Sequence, residues 1–165
     1  MTPRVEFVAV SPRWRAALSA RSLARETIAV AARECGVALA PGAELCIHLA
    51  DDEHVRALNA RWRGLDQPTN VLSFPAVAPA EIATARLLGD VVLAFETIAR
   101  EAADEGKPLA DHYRHLVAHG FLHLIGFDHD EEADAERMEA METRILAQLG
   151  VVDPYRVDDT ADARP

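Results

Sequence analysis

The sequence predicts a single α+β domain, with a small mixed sheet of four strands packed against helices. Three observations carry that expectation. The chain has 165 residues, enough for one domain with a sizeable core and too few for two ordinary ones. Half the residues are hydrophobic and 27% are charged, which is globular rather than disordered composition. Strand and helix patterns then succeed one another in mixed order, without the strict alternation of a doubly wound sheet.

Val5 to Val10 reads as a short buried strand closed by Ser11-Pro12. Arg13 to Glu34 favours one helix, with Trp14, Leu18, Ile28, Ala31 and Cys35 near helical spacing. Residues 44–49 alternate cleanly, which predicts a half-buried strand with Leu45, Ile47 and Leu49 inward. Asp51 or Asp52 caps the next helix, which carries Val55 and Leu58 and ends near Arg63-Gly64. A loop from Gly64 to Thr69 leads into a strand at Val71–Phe74, and residues 75–86 read as loop. Gly89 to Phe95 is a fourth strand, followed by a helix over 96–105. Pro108 suits the first turn of a helix running to Ile125, and Gly126 is its natural stop. A last helix over 131–149 is expected to bury Met138, Met141, Ile145 and Leu149 and to expose Glu132, Glu136, Glu139 and Glu142. The domain is expected over 1–150, with a flexible acidic tail over 151–165.

The longest apolar stretches fall far short of a membrane span, so no membrane is expected. No charged start and apolar run with a cleavage site opens the chain, and Cys35 and Cys46 form no disulfide framework or metal spacing of their own. A reducing cytoplasm fits both. The net charge of −10 is unevenly spread. Residues 1–70 hold 9 Lys+Arg against 8 Asp+Glu, and every base among them is arginine, the side chain whose planar fork meets two phosphate oxygens at once. Residues 71–165 hold 8 against 19, an acidic surface that serves solubility.

Five of the seven histidines lie between residues 112 and 129. At 100° per residue His112, His115, His119 and His123 form a stripe on one helix whose other positions are apolar, so the imidazoles need partners. His119 and His123 stand one turn apart, and the break at Gly126 lets the chain return with His129. Three imidazoles with a fourth position open is the arrangement of a catalytic zinc site, whereas structural sites are closed by four ligands. Imidazole also takes nickel, copper and iron. The spacing matches the metzincin pattern H-E-x-x-H-x-x-G-x-x-H in every histidine and in its glycine, but Gly120 replaces the glutamate base on which proteolysis depends.

The run from His115 to His129, HLVAHGFLHLIGFDH, resembles the hallmark of the YbeY family. Two further stretches agree. One comprises Leu58-Asn59, Arg63-Gly64, Asp66 and Pro68–Pro75, and the other is Leu88–Val92. The resemblance covers roughly residues 45–130 in register. It implies a zincin-like fold, one Zn²⁺ on His119, His123 and His129, and endonucleolytic cleavage of single-stranded RNA. It also implies maturation of the 16S rRNA 3′ end, ribosome quality control, and the ribosome or its small subunit as partner, with no DNA. Its essential arginine falls on Arg63.

A guanidinium near the attacked phosphodiester stabilises charge developing on the non-bridging oxygens. Arg63 is favoured because it precedes a glycine at a helix exit, and Arg61 is its competitor. Asp128, Asp130 and Glu131 flank His129 as bases or as carboxylates hydrogen-bonded to a ligand. His115 relays a proton, orients phosphate or is simply a buried, hydrogen-bonded histidine. Trp62 stacks a base or packs against a helix. His48 and His54 are expected at the surface, and His112 as structural or exposed. Two other readings stand beside the nuclease: a metallopeptidase-like hydrolase without the usual glutamate, and a ribosome-assembly adaptor with a structural zinc and no catalysis.

Overall fold

A computed structural model describes residues 2–155. In chain order the elements are β1 (Arg4–Ala9), α1 (Arg13–Ala17), α2 (Ala20–Cys35), β2 (Glu44–Ala50), α3 (Asp52–Arg63), β3 (Val71–Pro75), a 3-10 turn (Pro79–Thr84), β4 (Leu87–Ala94), α4 (Phe95–Asp104), α5 (Leu109–Leu124) and α6 (Glu132–Gln148). The strands form one mixed sheet in the order β1-β2-β4-β3. β1, β2 and β4 run parallel, and β3 pairs antiparallel with β4. This is the mixed four-stranded α+β architecture the sequence predicts.

Alternation along the strands divides the apolar residues between two faces. Leu45, Ile47 and Leu49 of β2 and Val91 and Leu93 of β4 face the main core, where α2 and α5 contribute Ile28, Phe121 and Leu122. The opposite face carries a smaller cluster, Ala50, Leu72, Val92 and Ala94, covered by Val55 and Leu58 of α3. Asp51 caps α3 by accepting the His54 backbone N–H at 2.8 Å, and Gly64 closes it in the left-handed conformation.

The structure corrects several expectations. The single helix from Arg13 to Glu34 is broken at Leu18, which is extended (φ −163°, ψ 167°). The break lets Trp14 leave the line of α2 and enter the core, where its indole N–H donates to the Ala50 carbonyl and its ring packs against Phe95 and Tyr113. The loop over 75–86 contains the 3-10 turn, which buries Ile82. Of the two readings of His112 the structural one holds, since it is buried with Nε2 2.9 Å from Glu101 Oε1, whereas His48, expected at the surface, is half-buried on Asp90 at 2.9 Å. On α6, Leu146 is fully buried while Met141 and Leu149 are only partly so. The largest departure is Glu142: expected in solvent with the other α6 glutamates, it is 1% exposed. Of the expected tail, residues 151–155 pack back onto the domain, with Val151 buried and Tyr155 bonded to Glu142, and residues 156–165 lie outside the described residues.

Candidate metal centre

The site is built on α5, which lies across β3 and β4. One face of this helix presses on the sheet at Gly120, where an added Cβ would stand 2.7 Å from a Val91 methyl and 3.3 Å from Ser73 Oγ. Ser73 Oγ donates to the Gly120 carbonyl at 3.2 Å, pinning the helix there. His119 and His123, one turn apart, line the adjoining cleft. The position that carries the protease glutamate therefore points into packed sheet. No general base could project from it.

Gly126 turns the chain back. Its φ of +106° is a left-handed conformation that side chains avoid, and a Cβ would sit 3.0 Å from Pro79. Phe127 N–H then donates to the Leu122 carbonyl, and Asp128 Oδ1 accepts the backbone N–H groups of His129 (2.6 Å) and Asp130 (3.1 Å). Those two bonds hold the Asp128 carboxyl below the usual range. The turn returns His129 to the other two rings, with centroids 5.8 Å from His119 and 4.8 Å from His123. One ring nitrogen from each histidine lies within 4.8 Å of the others.

The hydrogen bonds assign the ring protons. His123 Nδ1 meets the Phe127 carbonyl oxygen at 3.1 Å, and His119 Nδ1 meets Glu142 Oε1 at 3.3 Å. A carbonyl and a carboxylate only accept, so both Nδ1 atoms carry the proton and both Nε2 atoms keep a lone pair. Those two Nε2 atoms are 3.1 Å apart. Facing lone pairs repel unless a proton or cation lies between them. Protonation is opposed here, because burial above all, reinforced by the neighbouring His119 and His129 rings, pushes His123 down to about 4. The three histidines thus fit a metal ion and can bind one.

Behind His119 stands a layer the sequence did not reveal. Glu142 Oε1 is 2.7 Å from His115 Nε2, and the Tyr155 hydroxyl donates to both Glu142 oxygens at 3.0 and 3.1 Å. Burial pushes the Glu142 carboxyl up, but the bonds from His115 and His119 outweigh it and hold it at about 2. His115 is therefore turned away from the cleft, in the layer behind the three histidines. The one signal available in the sequence was the place of Glu142 on the Met138-Ile145 side of α6, which the shared run of α6 glutamates obscured.

The cleft has a volume of about 740 Å³. Besides the three histidines it is lined by Trp62, Arg63, Thr69, Asn70, Ser73 and Asp128. Arg63 stands exposed at the last turn of α3, whereas the Arg61 guanidinium lies over the Trp62 ring, 5.2 Å from its centroid. Trp62 is 62% exposed. Asn70 is spent on Glu101 and Asp66 on an exposed ion pair with Arg56, so both shape the loop between α3 and β3. Among the described residues no helix is long and apolar enough to cross a membrane.

The family described as "Endoribonuclease YbeY" matches residues 13–150. An "Endoribonuclease YbeY" of Rhodopseudomonas palustris (strain BisA53) is 51% identical over 163 residues, covering 97% of this chain and 94% of the relative. One of Methylocella silvestris is 47% identical over 156 residues, covering 94% and 88%. In fold the chain is similar to the Thermotoga maritima protein TM1509, known from a solution structure, with a TM-score of 0.55 at 19% identity, covering 94% of this chain and 99% of that one. With the family match spanning most of its length and relatives half identical from end to end, this chain is an enzyme and belongs to the endoribonuclease YbeY family.

Proposed function

We propose that this chain is a zinc-dependent endoribonuclease that cuts single-stranded RNA, and that its substrate is ribosomal RNA presented by the ribosome or its small subunit. Family membership supports the nuclease activity, and the resemblance of its motifs supports 16S rRNA 3′-end maturation and ribosome quality control. One observation carries the reading: three imidazoles converge beside an arginine and an exposed tryptophan in a single open cleft.

His119, His123 and His129 would hold the metal, and an all-imidazole set suits zinc, with nickel the nearest competitor. A divalent cation held there supplies Lewis acidity, acidifying a water and polarising a phosphoryl oxygen. The chain's own residues do the rest. Arg63 reaches the scissile phosphate and neutralises charge on its non-bridging oxygens. Asp128 spends one carboxylate oxygen on the turn amides, and its second receives the proton of the attacking water. Trp62, largely in solvent, offers aromatic surface on which a single-strand base stacks, which a duplex withholds. His115 acts through Glu142, which fixes the His119 tautomer, so it is a positioning residue rather than a relay.

The test is cleavage of an end-labelled single-stranded RNA by zinc-loaded protein, with Arg63→Ala and His123→Ala alongside and a duplex of the same sequence as control. Cutting of the single strand that both substitutions remove is expected. Equal cutting by all three proteins would refute the reading, since a contaminant would then carry the activity. Peptide turnover with intact RNA would favour the hydrolase alternative, for which the cleft offers no glutamate base.

A further inference from the structure

A second cluster of ligand-type side chains lies on the other face of the sheet. In the parallel register Glu6 of β1, Cys46 of β2 and Asp90 of β4 form one cross-strand row, and His48 stands two residues beyond Cys46 on the same face. α3 covers the β3–β4 side of this face and leaves the β1–β2 side bare, where Val8 is 43% exposed. The thiol, the imidazole and the carboxylate of Cys46, His48 and Asp90 all lie within 4.8 Å of one another, and His48 Nε2 is 2.9 Å from Asp90 Oδ1.

The geometry points to a cation site: we propose that Cys46, His48 and Asp90 bind a thiophilic divalent cation of the zinc class, independently of the three-histidine centre. The cluster combines sulfur, nitrogen and oxygen donors, a set that selects zinc over the hard cations magnesium and calcium. It is rooted on two adjacent strands, so the donors are held by the sheet rather than by loops. Around it Glu6, Glu44 and Asp90 concentrate negative charge. Together with burial, these acids push the Cys46 thiol up, and they are the field that draws in a cation. Glu6, opposite Cys46 in register, is paired to Arg4 at 3.2 Å and adds charge to the surroundings rather than a ligand. An ion there ties β2 and β4 together, and its binding displaces the thiol proton to solvent.

Cobalt(II) titration of the metal-free full-length chain separates the two centres. The three-histidine site contains no sulfur, so a near-ultraviolet thiolate-to-cobalt charge-transfer band reports the new site alone. Two equivalents per chain and that band are expected for the wild type. Cys46→Ser is expected to lose the band and one equivalent while keeping the visible spectrum of the histidine site, and Cys35→Ser, whose thiol lies on α2, to keep both. His48→Gln, which retains the thiol, also loses one equivalent, and unchanged far-ultraviolet circular dichroism in both variants confirms that they fold. A wild type without the band, or a band that survives in Cys46→Ser, overturns the proposal and leaves a sheet-surface hydrogen bond between His48 and Asp90.

Discussion

Glu142 is the residue whose replacement tests the layer behind the metal centre most directly. Its carboxylate is buried and bonded to His115, His119 and the Tyr155 hydroxyl. Replacing it with alanine leaves three polar groups without their partner, a change that costs about 3–5 kcal/mol. The depressed carboxyl expresses the same bonds on a comparable scale. The carboxyl lies at about 2 in the folded chain against an ordinary 4.5, and at ~1.4 kcal/mol per unit that difference is roughly 3 kcal/mol. Glutamine keeps the shape and one acceptor oxygen, so Glu142→Gln is expected to lose about 1–2 kcal/mol, near the net value of the bonds it weakens. The assay is urea unfolding of metal-free protein at neutral pH, followed by zinc competition against a chromophoric chelator. Zinc affinity is expected to fall about 10–100-fold in Glu142→Ala, the usual effect of losing a carboxylate that orients a ligand histidine. If both variants unfold within about 0.5 kcal/mol of the wild type, as ordinary surface substitutions do, and bind zinc equally, the network has no energetic role and the reasoning fails.

The remaining predictions concern acid, the cleft and the helix seat. Because the Glu142 carboxyl is depressed in the folded state, its contribution is complete above about pH 4.5 and drains away as pH falls toward about 2; wild-type metal-free protein should therefore lose more stability over that window than Glu142→Gln, measured by urea midpoints at each pH. Arg63→Ala is expected to lower kcat by ~10²–10³ with zinc content unchanged, while Arg61→Ala, whose guanidinium rests on Trp62, changes it far less. Trp62→Ala should weaken binding of a non-cleaved single strand by about 1–3 kcal/mol and leave the unfolding midpoint in place, since the ring is largely in solvent. Gly120→Ala drives a methyl into Val91 and is expected to cost ~1–3 kcal/mol, with zinc affinity falling as α5 shifts on the sheet.

Much of this protein was legible from local pattern. Alternation placed β2 with Leu45, Ile47 and Leu49 inward, and a glycine marked the end of α5. Histidines at helical spacing before that glycine announced a three-imidazole site, because a helix repeats every 3.6 residues whatever surrounds it, and the turn at Gly126 is a property of one backbone position. Features that depend on a neighbouring element were out of reach. Whether Glu142 is solvated or buried depends on what packs against α6, and only the tertiary structure brings His115, His119 and Tyr155 onto it. That Arg63 borders the cleft while Arg61 lies over Trp62 follows from how α3 is set against it, and the break at Leu18 from the seat that Trp14 takes between Phe95 and Tyr113. Cys46 and Asp90 are 44 positions apart, and strand register alone makes them neighbours. The sequence by itself determined most of the elements and the spacing of the histidines, since both are short-range properties of the chain. The tertiary structure decided which polar groups are buried and what they face, because burial belongs to pairs of surfaces that only folding brings together.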